Sequence, residues 1–227
     1  AEIPPLLTAF KRQQFRWVKG SIQCLRKVGL HVVRSRNSVW RKVQAMLHLG
    51  GYLVHPLMVV LLLASLPTAL QGGLGRLPLG LLSLAGLGPP VLYAVSQVSA
   101  YPDGWKRYLY FPLLMLLGAG IALNNTVAVL EALTRRNATQ FLRTPKGGAS
   151  AAVRDYALVS DWTTLGEIAL ALYALVAAAV AVERDPGLAP FLLLFAAGFG
   201  YTAAMGIAES WQVARRRRSW HAAGGGD

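Results

Sequence analysis

The segment Gln13-Gln14-Phe15-Arg16-Trp17 lies in a basic stretch just before the first long apolar run of the chain. Read as Gln-x-x-Arg-Trp, it places an amide, a guanidinium and an indole within about one helical turn, where residues three and four apart share a face. Arginine binds phosphate oxygens, the amide donates and accepts hydrogen bonds, and the indole offers a flat apolar surface. The pattern suits a sugar diphosphate beside a sugar ring. On spacing alone, an interfacial helix anchored in lipid headgroups is the simpler interpretation.

Composition indicates a membrane protein. Hydrophobic residues make up 54% of the 227-residue chain, and several apolar runs approach the roughly 20 residues that cross a bilayer. The net charge is +13, but the basic residues flank apolar runs, as they do in cytoplasmic loops of membrane proteins. We therefore expect the lipid bilayer and sugar-nucleotide phosphates as partners, and no nucleic acid. Cys24 is the single cysteine, which excludes an internal disulfide and disfavours a cysteine-based metal site.

Basic amphipathic helices are predicted in the first region, residues 1–47. Pro4-Pro5 disfavours helix at the entry, so residues 1–9 are expected to be extended. From 10 to 33 apolar residues recur at helical spacing between basic ones, and Gly29 is expected to break that helix. A second such piece runs from 38 to 47. Helices of this type lie in the membrane surface.

Two further regions, 48–133 and 163–214, are predicted to hold four transmembrane helices. These spans are expected at 48–70, 77–99, 163–182 and 188–208. Pro89-Pro90 should kink the second span, and Gly200 with Ala204 would allow close helix contact in the fourth.

Two acidic residues stand at or within the last two spans, where charge is costly and often functional. They are Glu167 and Glu209. Glu209 lies close enough to a helix end for its carboxylate to reach the headgroups, which is an adequate explanation for it.

Residues 108–133 are apolar enough to span, but small and polar residues interrupt the run. Cytoplasmic loops carry an excess of basic residues, and the front of the chain, the loop at 134–162 and the tail at 215–227 are all basic. All three face the cytoplasm if 108–133 lies in the interface or re-enters. The predicted fold is an all-α membrane protein with amphipathic interface helices, about four transmembrane helices, one interfacial or re-entrant helix, and both termini cytoplasmic.

Two ordered motifs resemble those of membrane-bound family 2 glycosyltransferases of the cellulose synthase and mannan synthase type. The stretch at 10–20, FKRQQFRWVKG, following Glu2-Ile3-Pro4-Pro5, is similar to the segment after their catalytic domain. The stretch at 141–146, FLRTPK, resembles their Phe-x-Val-Thr-x-Lys gating loop. Arg143 stands where that pattern has valine, which is closer to mannan-synthase-like members, and Asn124-Asn125 also fits that branch.

The resemblance implies roles for six residues. Gln13 and Arg16 would contact the diphosphate, and Trp17 would stack on the terminal sugar of the acceptor. The residues that would close over the bound nucleotide are Phe141, Thr144 and Lys146. Without the resemblance, 141–146 would be an ordinary basic loop beside the membrane.

The catalytic acids of this family are not found in the sequence. Family members draw a carboxylate base and the ligands of Mg²⁺ or Mn²⁺ from a GT-A domain that carries Asp-x-Asp and a later Asp. This chain contains no Asp-x-Asp pair. We therefore assign no catalytic residue and no metal ligand within it, and expect it to be the carboxy-terminal part of a longer enzyme, completed by its GT-A domain.

The expected function is the membrane and gating portion of a processive glycosyltransferase in a bacterial inner membrane. It would transfer sugar from a UDP- or GDP-sugar to a growing β-glycan and pass that glycan across the membrane. Candidates for lining the channel are Tyr52, Tyr93, Gln97 and Trp211. Two alternatives stay open: a lipid-acceptor enzyme similar to ceramide glucosyltransferase, and a non-catalytic channel or scaffold subunit or inactive remnant.

Overall fold

The computed structural model describes residues 6–71, 88–134 and 162–222, and within 213–222 it describes one side chain, that of Arg215. All regular structure in these residues is helical, as predicted. The helices are α1 (Leu7–Arg34), α2 (Val39–Gly50), α3 (Val54–Leu70), α4 (Gly88–Ala100), α5 (Gly104–Tyr108), α6 (Phe111–Gly120), α7 (Ala122–Thr134), α8 (Trp162–Arg184) and α9 (Ala189–Ala222). A 3₁₀ turn, Gly51–Leu53, joins α2 to α3.

Three helical stretches in this part of the chain are long and apolar enough to cross a membrane. They are Val39–Leu70, Trp162–Arg184 and Ala189–Gln212, and they cover the predicted spans at 48–70, 163–182 and 188–208. The predicted span at 77–99 lies partly outside the described residues. Its second half is α4, in which Pro89-Pro90 falls at the start of the described helix.

The segment from α5 to α7 is bent. Gly104–Gly120 and Ala122–Thr134 meet at 47°, in the geometry of a broken span or a re-entrant loop. The bend falls at Ile121. The glycines Gly118 and Gly120 precede it, and the asparagines Asn124 and Asn125 follow it. The interruption predicted within 108–133 is therefore present, and both topologies remain compatible with it.

Helix α1 is longer than the sequence predicts at both ends. It begins at Leu7, inside the stretch expected to be extended, and it passes through Gly29 without a break. Gly29 is buried, and a Cβ built there would lie 3.4 Å from Leu25 Cδ1 and 3.7 Å from Met46 Cε of α2. The predicted break is wrong because this packing outweighs the low helix propensity of glycine, about 1 kcal/mol.

The amphipathic helix predicted at 38–47 is not separate from the first span. Val39–Leu70 forms one helical stretch of 32 residues, and Gly51, which follows α2, keeps right-handed helical backbone angles, φ −55° and ψ −30°. At 1.5 Å per residue such a stretch exceeds the roughly 30 Å of a hydrocarbon core. Its first turns would therefore extend beyond that core.

The chain divides into two compact units. The first comprises Ala1–Val60, Ile121–Ile168 and Tyr201–Asp227, and it holds α1, α2 and α7. The second comprises Leu61–Gly120 and Ala169–Gly200, and it holds α4, α5 and α6. Helices α3, α8 and α9 contribute residues to both.

Small residues allow close helix packing in the second unit. A Cβ built on Gly198 of α9 would lie 2.7 Å from the carbonyl oxygen of Leu116 in α6, closer than real side chains approach. Gly200 faces open space and Ala204 is exposed. The predicted contact through Gly200 and Ala204 is wrong, because the close approach uses Gly198, two residues away and on another side of the helix.

Aromatic rings cluster around α5 in the same unit. The Tyr93 ring centroid lies 6.1 Å from that of Tyr108 and 5.4 Å from that of Phe111, and Trp105 stacks on Tyr108 at 5.9 Å. Tyr93, a predicted channel-lining residue, is therefore packed among rings of its own unit.

Candidate functional site

Helix α1 lies against α7 through an apolar seam in the first unit. Val18 and Ile22, one turn apart on α1, are fully buried against Ala128, Val129 and Ala132 of α7. Residues four apart share a helix face, and the two alanines let the helix backbones approach closely. The seam lies on the inward-facing side of α1.

The three signature residues lie on the other side of α1. Gln13 and Arg16 are partly exposed, and Trp17 keeps 55% of its surface exposed. They fall within one turn of each other and well away from the face of Val18 and Ile22. The structure thus brings the predicted amide, guanidinium and indole together on an accessible surface.

A buried ion pair fixes α1 to α8. The Lys11 ammonium donates to a Glu167 carboxylate oxygen at 2.6 Å and to the Thr163 hydroxyl at 3.1 Å. The Lys11 side chain is 6% exposed and that of Glu167 is 0% exposed. Isolated charges at such sites are very costly, and pairing offsets that cost. Glu167 therefore supplies the counter-charge for Lys11 and holds α1 against α8.

Asparagines of α7 extend this polar contact. The Asn124 amide donates to the backbone oxygen of Lys11 at 3.0 Å and to Asn125 Oδ1 at 3.1 Å. Asn125 Nδ2 lies 3.0 Å from His55 Nε2 of α3, so the ring nitrogen accepts when the asparagine amide donates. The pair that fits the mannan-synthase-like pattern thus links α1 to α3 in this structure.

A second ion pair lies two turns further along α1. The Lys19 ammonium is 2.8 Å from Glu131 of α7, with side-chain exposures of 7% and 27%. Near the same end of α7, Arg26 donates to the carbonyl oxygen of Ala132. That carbonyl is in the last turn of α7, where a positive charge is favourable.

Glu209 of α9 caps the start of α1. Its two carboxylate oxygens accept hydrogen bonds from the backbone N–H groups of Leu7 at 2.6 Å and Thr8 at 3.0 Å. The first N–H groups of a helix have no partner within the helix, and they attract negative charge. Glu209 is only 7% exposed, so the expectation that it reaches headgroups is wrong.

The other predicted site residues are placed as follows. Phe141, Thr144 and Lys146 lie outside the described residues. Among the channel candidates of the first unit, Tyr52 packs against the seam and stacks near His55 at 6.3 Å, while Trp211 is 65% exposed.

The described residues do not form a site for Mg²⁺ or Mn²⁺. No group of three or more His, Cys, Asp or Glu side chains suited to a metal occurs in 6–71, 88–134 or 162–212. Each carboxylate of the α1 contact is already bound to an ammonium or to backbone N–H groups. The donor set does not fit a divalent metal, which prefers several oxygen ligands converging on one point.

Sequence reasoning noted Glu167 and Glu209 as costly charges but did not find their partners. Lys11 and Lys19 looked like solvated basic residues of an amphipathic helix, yet they are 5% and 6% exposed. The available signal was the spacing of Lys11, Val18, Lys19 and Ile22 on neighbouring positions of one face. An acidic residue within an apolar run needs a cation somewhere, and these two lysines lie on the seam side of α1.

No protein-family model matches this chain, and no curated protein and no solved structure matches it. The resemblance to family 2 glycosyltransferases therefore rests on the two motifs.

Proposed function

We propose that this chain is the membrane and gating portion of a processive family 2 glycosyltransferase that extends a β-glycan from a UDP- or GDP-sugar. The observation that carries the proposal is the surface of α1. Its buried lysines and apolar residues turn inward, while Gln13, Arg16 and Trp17 stay accessible together. This exposure supports a binding surface on α1, and the resemblance of the Gln-x-x-Arg-Trp motif supports the choice of ligand.

The chemistry of these groups matches an activated sugar and its acceptor. The Arg16 guanidinium would fork onto diphosphate oxygens, and Gln13 would add a donor and an acceptor beside it. Trp17, with more than half its surface exposed, would stack on the apolar face of the acceptor's terminal sugar. Phe141, Thr144 and Lys146 would close over the nucleotide, with Lys146 offsetting phosphate charge.

Glycosyl transfer also needs a carboxylate base to activate the acceptor hydroxyl. The acids of the α1 contact are committed to α1, so they are unsuited to that role. We propose that the base, and the Mg²⁺ or Mn²⁺ ligands that such reactions use, come from a GT-A domain above α1. The bound metal would stabilise the leaving diphosphate, and α1 would supply the binding surface beneath it.

The test uses membranes from cells that express the natural gene. Radiolabelled UDP-glucose or GDP-mannose is supplied, and labelled product is separated by size. Charged hydrogen bonds contribute about 1.5–3 kcal/mol, so Arg16→Ala should lower incorporation about 10- to 100-fold. Trp17→Ala should lower it similarly, with the protein present at its usual level.

Matched controls come from α2, where Trp40 is 69% exposed and Arg41 is also exposed. Trp40→Ala and Arg41→Ala should change incorporation by about twofold at most, as surface substitutions do. Normal incorporation in Arg16→Ala and Trp17→Ala would refute the assignment of the site. A single small lipid-soluble product would instead indicate a lipid acceptor, and no incorporation by the unmodified protein would indicate a non-catalytic membrane module.

A further inference from the structure

Three carboxylates from three different helices bind successive positions of α1. Glu209 of α9 accepts hydrogen bonds from the backbone N–H groups of the first turn. Glu167 of α8 pairs with Lys11, and Glu131 of α7 pairs with Lys19. All three belong to the first unit. The whole chain has ten acidic residues, and three of them bind this one helix through two ion pairs and one helix cap.

Stability alone does not account for this arrangement. Replacing a buried ion pair with well-packed apolar residues of similar volume is often neutral or stabilising. The contact also has an apolar seam that could have been extended. The ion pairs restrict the position of α1 relative to its neighbouring helices. A buried ammonium loses its interaction when its carboxylate moves by a fraction of a helical turn.

The apolar seam by itself constrains the register of α1 less strictly than the ion pairs do. Val18 and Ile22 face two alanines and one valine, with Phe15, Leu25 and Tyr52 packed against the same cluster, and contacts between apolar side chains are non-directional. A slide by one turn, about 5.4 Å, would keep much of the apolar contact. The same slide would separate Lys11 from Glu167 and would leave Glu209 without the N–H groups of Leu7 and Thr8.

We propose that Glu131, Glu167 and Glu209 are positioning residues that fix the register and rotation of α1. They thereby determine where Gln13, Arg16 and Trp17 point. The register part of this inference, that the three carboxylates fix the position of α1, stands without the proposed function. The ligand part, that they thereby aim the three binding groups at a sugar nucleotide, rests on the proposed function.

Cys24 makes the register measurable. It is the only cysteine of the chain, it lies on α1, and it is exposed. A second cysteine replaces Leu130 of α7, which is 53% exposed. Spin labels on both cysteines, in the full chain in phospholipid nanodiscs, report the distance distribution between α1 and α7.

The decisive variant replaces both pairs with apolar residues: Lys11→Met and Glu167→Leu with Lys19→Met and Glu131→Leu. The protein with both ion pairs intact should give one narrow distance between the two spin labels. The variant should keep its helix content and its thermal midpoint, while its distance distribution broadens or gains a second maximum. A single narrow distance in a folded variant would overturn the inference.

Glu131→Gln covers the case in which the apolar variant does not fold. The Glu131 side chain is 27% exposed, so its neutralisation is less costly than that of Glu167. It should broaden the distribution and lower the thermal midpoint less than Glu167→Gln does, because the Lys19–Glu131 pair is more exposed than the Lys11–Glu167 pair. An unchanged distribution would again refute positioning by this carboxylate.

The ligand part is measured separately in membranes that carry the natural gene product. The apolar variant should raise the KM for the sugar nucleotide at least about tenfold, since the binding groups are intact but misdirected. An unchanged KM with a broadened distance distribution would overturn the ligand part. If the unmodified protein incorporates no sugar, the proposed function fails, and the distance measurement still decides the register.

Discussion

The Lys11 ammonium of α1 lies 2.6 Å from a Glu167 carboxylate oxygen of α8, and neither side chain is exposed by more than 6%. The two residues are 156 positions apart in the chain. Their pairing joins the helix that carries the Gln-x-x-Arg-Trp signature to a helix apolar enough to cross a membrane. The signature is thus held by charge as well as by apolar packing.

Breaking this pair from one side should be strongly destabilising. Glu167→Gln leaves the Lys11 ammonium buried without its counter-charge, and loss of one partner of a buried pair costs about 3–5 kcal/mol. Thermal unfolding of the full chain in detergent measures the loss. Glu183→Gln is the control, because Glu183 is exposed near the end of the same helix; it should cost about 0.5 kcal/mol or less. Equal effects of the two substitutions would contradict the buried pair.

Removing the Glu209 carboxylate should loosen the start of α1. Glu209→Ala leaves the N–H groups of Leu7 and Thr8 without their acceptors, and loss of a helix cap costs about 1–2 kcal/mol. Hydrogen exchange should accelerate in the first turn of α1 and much less in its middle. Ser210→Ala is the control, since the Ser210 hydroxyl bonds the Gly206 carbonyl within α9. Unchanged exchange at Leu7 and Thr8 in Glu209→Ala would refute the cap.

Two glycines of α9 should respond to alanine with opposite signs. Gly200 faces open space, so Gly200→Ala should stabilise by about 0.5–1 kcal/mol through helix propensity. At Gly198 the new Cβ would lie 2.7 Å from the Leu116 carbonyl oxygen, so Gly198→Ala should destabilise by about 1–3 kcal/mol. Thermal midpoints of the two variants test this. Stabilisation by both would mean that α6 and α9 are not in close contact at Gly198.

Cysteine labelling should reveal the membrane topology. Cys24 lies in the basic front region, so a membrane-impermeant maleimide should label it in inside-out vesicles and not in right-side-out ones. In a Cys24→Ala background, Glu183→Cys should be labelled from the opposite side if the segment from Gly104 to Thr134 re-enters. Labelling of both positions from the same side would mean that this bent segment crosses the membrane.

The sequence was sufficient to predict the all-helical class and three of the long apolar helices, because both depend on local runs of apolar residues that helical periodicity and length reveal. It also placed Gln13, Arg16 and Trp17 on one helical turn, since residues three and four apart always share a face. The helix boundaries were less accurate. Gly29 lies inside α1 because Met46 packs on it, and no local pattern contains that contact.

Only the tertiary structure decided which charges are buried and with what. Lys11, Lys19 and Arg16 belong to one basic helix and look alike in sequence, yet the first two meet Glu167 and Glu131 while Arg16 stays partly exposed. Glu209 caps a helix that starts 202 residues before it. Such pairs depend on which helices become neighbours, and that choice is made by packing over the whole chain rather than by the residues on either side.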